Sequence, residues 1–299
     1  MTRESEKGAP ERGALWQAVL ERTDRAIRCG ALQKIPTRIE PVEEGGVTFL
    51  VHVVEALERK RRAGIMQRQT SLNPFLPYEE NLFVAGISDT HVCLLNKFNV
   101  VEHHLLLVTR EFEDQEDLLT VKDFDAMWAC MAEFDGLAFY NAGTVAGASQ
   151  PHKHLQQIPL PLGDGSRKTP VDAILMGVVD EARPATVPGL HFVHSVAGVR
   201  SLARLETMEA AKTTESLYKD MLQAVGRGGR PGPYNLLVTR DWMLLVPRSV
   251  EKCGSISVNA LGFAGSLLVR DEQELSFVQK RGPMSILQNV AVTPKALSS

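Results

Sequence analysis

Apolar positions along the chain recur with two periods, which divide it into three helices and a larger set of strands. Leu15 to Cys29 fits a helix that Gly30 closes. Between Val121 and Asp135 the signal is cleaner. Val121, Phe124, Met127, Met131 and Phe134 fall three and four residues apart, after Thr120 with Asp123 three positions on, and Gly136 follows as a stop. From Met208 to Val225 the same spacing runs through Ala211, Leu217, Met221 and Leu222 up to Gly226. The methionines and aromatics of these stripes are assigned to core-facing sides.

Strands are predicted at Val47–His52, His91–Lys97, His104–Thr109, Ala138–Asn141, His152–Ile158, His191–His194, Tyr234–Thr239 and Trp242–Val246. CLLNKF with HLLLVT forms one hairpin, and YNLLVT with WMLLVP, joined by Arg240-Asp241, forms another. Strands in runs with isolated helices between them indicate an α+β fold with a mostly antiparallel sheet and flanking helices. The Pro-, Gly- and charge-rich stretch Leu160–Val187 divides a first region, 1–160, from a second, 161–299. LLLVTRE (105–111) is echoed by NLLVTRD (235–241), a weak hint of duplicated hairpins.

Composition narrows the class. The 299 residues are 44% hydrophobic and 23% charged, enough apolar material for a sizeable core. A net charge of −3 gives no electrostatic reason to expect nucleic acid or an anionic membrane. Cys29, Cys93, Cys130 and Cys253 stand far apart without a CxxC pair, which argues against a structural zinc site or a disulfide framework. The polar opening MTRESEKGAPER is the wrong pattern for a secretory signal, and the longest uncharged run, between Lys252 and Arg270, falls short of the about 20 strongly apolar residues of a spanning helix. A cytoplasmic protein is expected.

The candidate chemistry lies in FYNAGTVAGASQPHKHLQ, residues 139–156. On an extended strand, residues two apart share a face, so His152, His154 and Gln156 project together while Lys153 and Leu155 point the other way. Just ahead of them, Gly143, Gly147, Ser149 and Gln150 form a loop suited to close approach by an anion. A neutral imidazole is a good nucleophile toward phosphorus, and His154 is assigned that role, its other ring nitrogen donating to a nearby backbone carbonyl. His152 would brace the site. Gln156 can donate a hydrogen bond to a phosphate oxygen but carries no proton at neutral pH, so the acceptor should be already ionised, and the reaction a transfer. A two-histidine metal site is the competing reading, but no acidic residue sits at ligand spacing beside the pair, and no metal ligand is assigned.

NAGTVAGASQPHKHLQ resembles the signature of the ATP adenylyltransferases, or diadenosine tetraphosphate phosphorylases, of the histidine triad superfamily. NPFLPYEENLFV (73–84), LLNKFNVVEHHLLLVTREF (94–112), FDGLAFYNAG (134–143), YNLLVTRDWMLLVPRS (234–249) and SVNALGFAGSLLV (257–269) look like family blocks in family order, covering most of residues 45–270. The resemblance implies a single-chain version of the histidine triad sheet, with the catalytic core in 1–160 and the ATP adenylyltransferase region in 161–299 completing sheet and nucleotide site. It implies phosphorolysis of diadenosine tetraphosphate with phosphate to ATP and ADP, and the reverse, through AMP on His154, with Gln156 at the reacting phosphate. Asn141, Gly147, Ser149 and Gln150 match the phosphate and sugar loop, and Asn96 and Lys97 the nucleoside pocket. Asn235, Thr239 and Arg248 are the expected contacts to the second nucleotide. No tightly bound cofactor is implied. Mg²⁺ is expected only with the polyphosphate, and the partners are small molecules bound to a monomer.

Three positions depart from the family pattern: His52 stands where an arginine is common, Lys60 is crowded by Arg59, Arg61 and Arg62, and Gln157 makes a double glutamine. A sugar-phosphate uridylyltransferase would have Pro between the histidines, where this chain has Lys153. A binding module without catalysis is the non-enzymatic alternative. Of His103 and His104, adjacent on a strand, at most one can face a pocket, and both are assigned structural roles. His191 and His194 are read as surface or core residues, ERKRR (58–62) as a solvated helix end, RGGRPG (227–232) as a flexible turn, and Cys93 and Cys130 as small buried hydrophobes.

Overall fold

The computed structural model describes residues 13–294, except 56–72, 164, 178, 180–181 and 227–231. Lys60 with its arginine neighbours, and nearly all of RGGRPG, therefore lie outside the described residues. In chain order the helices are α1 (Ala14–Arg28), α2 (Val121–Glu133), α3 (Asp172–Leu175), α4 (Thr207–Ala224), α5 (Ala260–Phe263), α6 (Glu272–Arg281) and α7 (Pro283–Val290). The strands are β1 (Gln33–Lys34), β2 (Thr37–Glu44), β3 (Val47–Val54), β4 (Phe83–Gly86), β5 (His91–Leu95), β6 (Phe98–Asn99), β7 (Leu105–Thr109), β8 (Gly136–Asn141), β9 (His154–Pro159), β10 (Ser195–Gly198), β11 (Tyr234–Val238), β12 (Trp242–Pro247), β13 (Lys252–Cys253), β14 (Ile256–Ser257) and β15 (Ser266–Val269).

Eight strands form one antiparallel sheet in the order β10-β12-β11-β8-β9-β7-β5-β4. Both expected hairpins are present, β5 against β7 and β11 against β12. These strands read as continuous apolar runs because both faces are covered. On β8, Ala138 and Tyr140 join one core with α1, α2 and α4, while Leu137 and Phe139 join a second core on the opposite face. That second core carries a three-stranded sheet, β15-β3-β2, in which β15 runs parallel to β3 and pairs Ser266 with Leu50. A third, smaller cluster of Phe75, Val92, Leu94, Leu106 and Val108 lies beyond it toward the β4 edge. The site opens between these two clusters.

α2 begins as its sequence predicts: Asp123 Oδ2 accepts the Thr120 N–H at 2.7 Å, the reciprocal bond of a capping box. Some expectations need correction. Residues 191–194 are not a strand; the edge strand is Ser195–Gly198, and His194 Nε2 instead accepts the Val187 N–H at 2.8 Å. The stretch 160–187 is packed against the rest of the fold: Val171, Leu175 and Val187 are buried, and Asp172 accepts the Trp242 indole N–H at 2.8 Å. β9 starts at His154, with His152 on an isolated bridge to Asp114. α6 and α7 were not foreseen, although Asp271 caps the first, with Oδ1 accepting from the Gln273 and Glu274 N–H groups, and Gly282-Pro283 separates the two.

Candidate active site

His154 and Gln156 sit on the face of β9 that looks toward the three-stranded sheet, opposite Val108 and Leu106 of β7. Lys153 and Leu155 point the other way, Leu155 into the helix-covered core and Lys153 to Asp123 on α2 at 2.9 Å. A cleft of about 970 Å³ lies over the front face. Its walls include Asn96, Lys97, Asn141, Gly147, Ser149, Gln150, His154 and Gln156, eight of the twelve residues assigned from sequence.

The histidine tautomers follow from their partners. His154 Nδ1 lies 2.8 Å from the His152 carbonyl oxygen and must donate to it, which leaves a lone pair on Nε2. Burial holds this imidazole down to about 4, against the raising effect of that bond, so the ring is neutral at pH 7. His152 does not line the cleft. Asn73 Nδ2 lies 3.0 Å from its Nδ1 and can only donate, so the proton is on Nε2, directed at the carbonyls of Thr109 (2.9 Å) and Glu111 (3.1 Å). It braces the turn into β9, between the rings of Phe75 and Phe112.

His104 was missed by the sequence reading as part of the site. Asn96 Nδ2 donates to its Nδ1 at 3.2 Å, so Nε2–H donates to Gln156 Oε1 at 2.9 Å. With its oxygen occupied, Gln156 presents only its NH₂ to the cleft. Burial also lowers His104 to about 4. The signal was available only as parity: in EHHLLL, one of two adjacent histidines must share the face of Leu106.

The loop after β8 differs in one respect from the expected anion cradle. Gly143 (φ 82°) and Gly147 (φ 94°) are left-handed, and a Cβ on Gly147 would meet Asn259 Cα at 2.9 Å. Yet the N–H groups of Ala146, Gly147 and Ala148 close the loop on itself. What lines the cleft beyond it is Ser149 and Gln150.

Asn235, Thr239 and Arg248 are not brought to the cleft. Arg248 is buried, its guanidinium bonded to Asn235 Oδ1 (2.6 Å) and to the carbonyls of Val258 (2.8 Å), Val250 (3.0 Å), Val290 (3.1 Å) and Glu251 (3.2 Å). Asn235 in turn donates to Asn141 Oδ1 at 2.8 Å, and Thr239 closes the β11–β12 turn. These residues build the wall behind Asn141. At the far end the cleft is lined instead by Lys252, Ser255, Ser257 and Arg270. His52 also lines it, its pKa lowered by burial, so it brings no fixed positive charge. Among the described residues there is no group of three or more His, Cys, Asp or Glu side chains able to hold a metal, and no helix long and apolar enough to cross a membrane.

Comparison with known proteins finds similarity over most of the chain. Residues 5–177 match the Ap4A phosphorylase N-terminal domain, and residues 185–293 the ATP adenylyltransferase C-terminal domain. Diadenosine 5′,5‴-P1,P4-tetraphosphate phosphorylase 2 of Saccharomyces cerevisiae is 31% identical over 232 residues, 68% of this chain and 70% of that protein. The crystal structure of the yeast Ap4A phosphorylase Apa2 superimposes with a TM-score of 0.77 at 25% identity, covering 93% of this chain and 94% of that one. The same enzyme in complex with AMP gives 0.77 at 26% identity, covering 93% and 97%. The chain belongs to the Ap4A phosphorylase/ATP adenylyltransferase family, on an α+β fold built around an eight-stranded antiparallel sheet.

Proposed function

We propose that the protein cleaves diadenosine tetraphosphate by phosphorolysis, giving ATP and ADP, and runs the reverse synthesis. The observation that carries this is the pairing of His154 with Gln156: a neutral imidazole with its Nε2 lone pair available, beside an amide held so that it can only donate. One yeast relative is a tetraphosphate phosphorylase by name, and the yeast Ap4A phosphorylase Apa2 has been solved with AMP bound, the nucleotide fragment such a reaction retains.

His154 Nε2 attacks the α-phosphorus; the P–N bond forms as the bridging P–O bond breaks, and ATP departs. The departing phosphate is an anion of low basicity and needs no proton, which suits a site whose third position is glutamine. The Nδ1–H bond to the His152 carbonyl steadies the positive charge on the adenylylated ring. Inorganic phosphate, already ionised, then attacks the same phosphorus, the P–N bond breaks, and ADP leaves with His154 neutral again. Gln156 and Ser149 donate to the non-bridging oxygens. The adenosine of the retained AMP occupies the end of the cleft lined by Ile35, Leu82, Leu95 and Phe98, and the departing nucleotide the end lined by Lys252, Ser255 and Arg270. Mg²⁺ would arrive on the polyphosphate as a charge-neutralising partner.

The test is product analysis. Diadenosine tetraphosphate with phosphate should yield equimolar ATP and ADP, with no turnover of UDP-glucose with galactose 1-phosphate. Phosphate-independent release of AMP would make the protein a hydrolase. Tight binding of the tetraphosphate without product would make it a binding module.

A further inference from the structure

Antiparallel pairing of β8 with β9 runs from Gly136 opposite Pro159 to Phe139 opposite Gln156. The same register, carried on, sets Asn141 opposite His154. At that level the side-chain amide of Gln115 stands in the gap. Its Oε1 accepts the His154 N–H at 2.8 Å, and its Nε2 donates to the carbonyls of Asn141 at 2.9 Å and His154 at 3.2 Å. A side chain thus supplies one acceptor and one donor where a direct main-chain rung would have closed the sheet.

Gln115 is itself held from three sides. Its segment, between β7 and α2, pairs with the approach to β9: Glu113 O accepts from Lys153 N at 2.9 Å, and Gln115 N donates to Pro151 O at 2.8 Å. The Gln115 carbonyl accepts the Tyr140 hydroxyl at 2.6 Å, from the residue next to Asn141. The residue is buried and does not line the cleft. Every hydrogen-bonding group it owns therefore ties together residues 140, 141, 151 and 154.

We propose that Gln115 is a positioning residue, an amide wedge that splays β8 from β9 and fixes the main chain of His154 against the Asn141 loop. The splay lets the chain leave β8 into the glycine loop, with Asn141 Oδ1 turned to Ala260 N at 3.0 Å. On the other strand it sets where the His154 ring stands. The same segment anchors residues 151–153, and so places the His152 carbonyl that receives the ring proton. This inference rests on His154 being the nucleophile.

The experiment measures adenylyl-enzyme formation in a single turnover, together with the dissociation constant for AMP. Gln115→Leu fills the space without hydrogen bonds; it should slow adduct formation about 100-fold, the scale of a reacting group misplaced by about 1 Å, while AMP binding changes less than twofold. Gln115→Glu is the informative second variant. Ionised, it sets an oxygen against two carbonyls; protonated, it regains an O–H donor. Its rate should therefore rise from pH 8 to pH 6, where the wild-type rate is flat.

A Gln115→Leu rate within threefold of wild type overturns the proposal, as does a fall in AMP affinity that matches the fall in rate. Should that variant not fold, Gln115→Glu decides alone, and a flat pH profile overturns it. His154→Ala separates the two claims. Turnover surviving there removes the nucleophile, whereas an inactive His154→Ala beside a fully active Gln115→Leu removes only the wedge.

Discussion

Lys153 and His154 are consecutive and both buried, yet the protein keeps one charged and the other neutral. Burial works against both charges. At Lys153 it is overcome by the Asp123 carboxylate at 2.9 Å and Glu113 at 3.0 Å, and the net shift is upward. Asp123 answers in kind: burial would raise it, but a bond from His91 and the charge of Lys153 hold it at about 2. At His154 no carboxylate among the described residues bonds the ring, and burial prevails. Strand alternation sends the two side chains to different faces. The back face spends its charges on holding α2 to the sheet, and the front face keeps an uncharged base facing the cleft.

Removing the ammonium breaks this contrast most severely. Lys153→Met leaves Asp123 buried without its main counter-ion, and should cost about 3–5 kcal/mol of stability, read by urea denaturation. A change under 1 kcal/mol would mean that the pair contributes little to holding α2.

The front face makes a prediction about pH. His104 and His154, both lowered to about 4, keep the site unprotonated through the range where an ordinary histidine titrates. The acid limb of kcat/KM should fall near pH 4, and a limb at pH 6.5 would contradict the neutral, buried base. The same shift sets stability. The unfolded rings take protons near pH 6.5 and the folded ones only near 4, so the fold should weaken as pH drops through that window.

The neighbouring glutamines repeat the comparison at lower stakes. Gln156 is tied to His104, whereas Gln157 is fully buried and its Nε2 and Oε1 have no partner among the described residues. Gln157→Met should stabilise the fold by about 1 kcal/mol and leave turnover unchanged. A loss of stability would indicate that the amide holds a partner of its own.

Much of this site was legible because its logic is local. The HKHLQ alternation and the capping pair Thr120 and Asp123 each act within a few residues of themselves. What escaped depends on register between distant strands. Nothing near His104 says that Leu106 stands opposite Gln156, and nothing near Gln115 says that its side chain reaches His154. The family resemblance implies Arg248 as a contact to the second nucleotide, yet its buried guanidinium ties loops together behind Asn141. The parallel pairing of β15 with β3 joins segments from opposite halves of the chain, and no hydrophobic period encodes it.

The most direct test is to locate the adduct. Enzyme exposed to diadenosine tetraphosphate without phosphate, quenched in alkali to preserve the P–N bond and digested, should carry one AMP on the peptide containing His154, fragmenting to that residue, and added phosphate should discharge it as ADP. AMP found on His152 or His104, or no adduct in an enzyme that still turns over, would contradict the account.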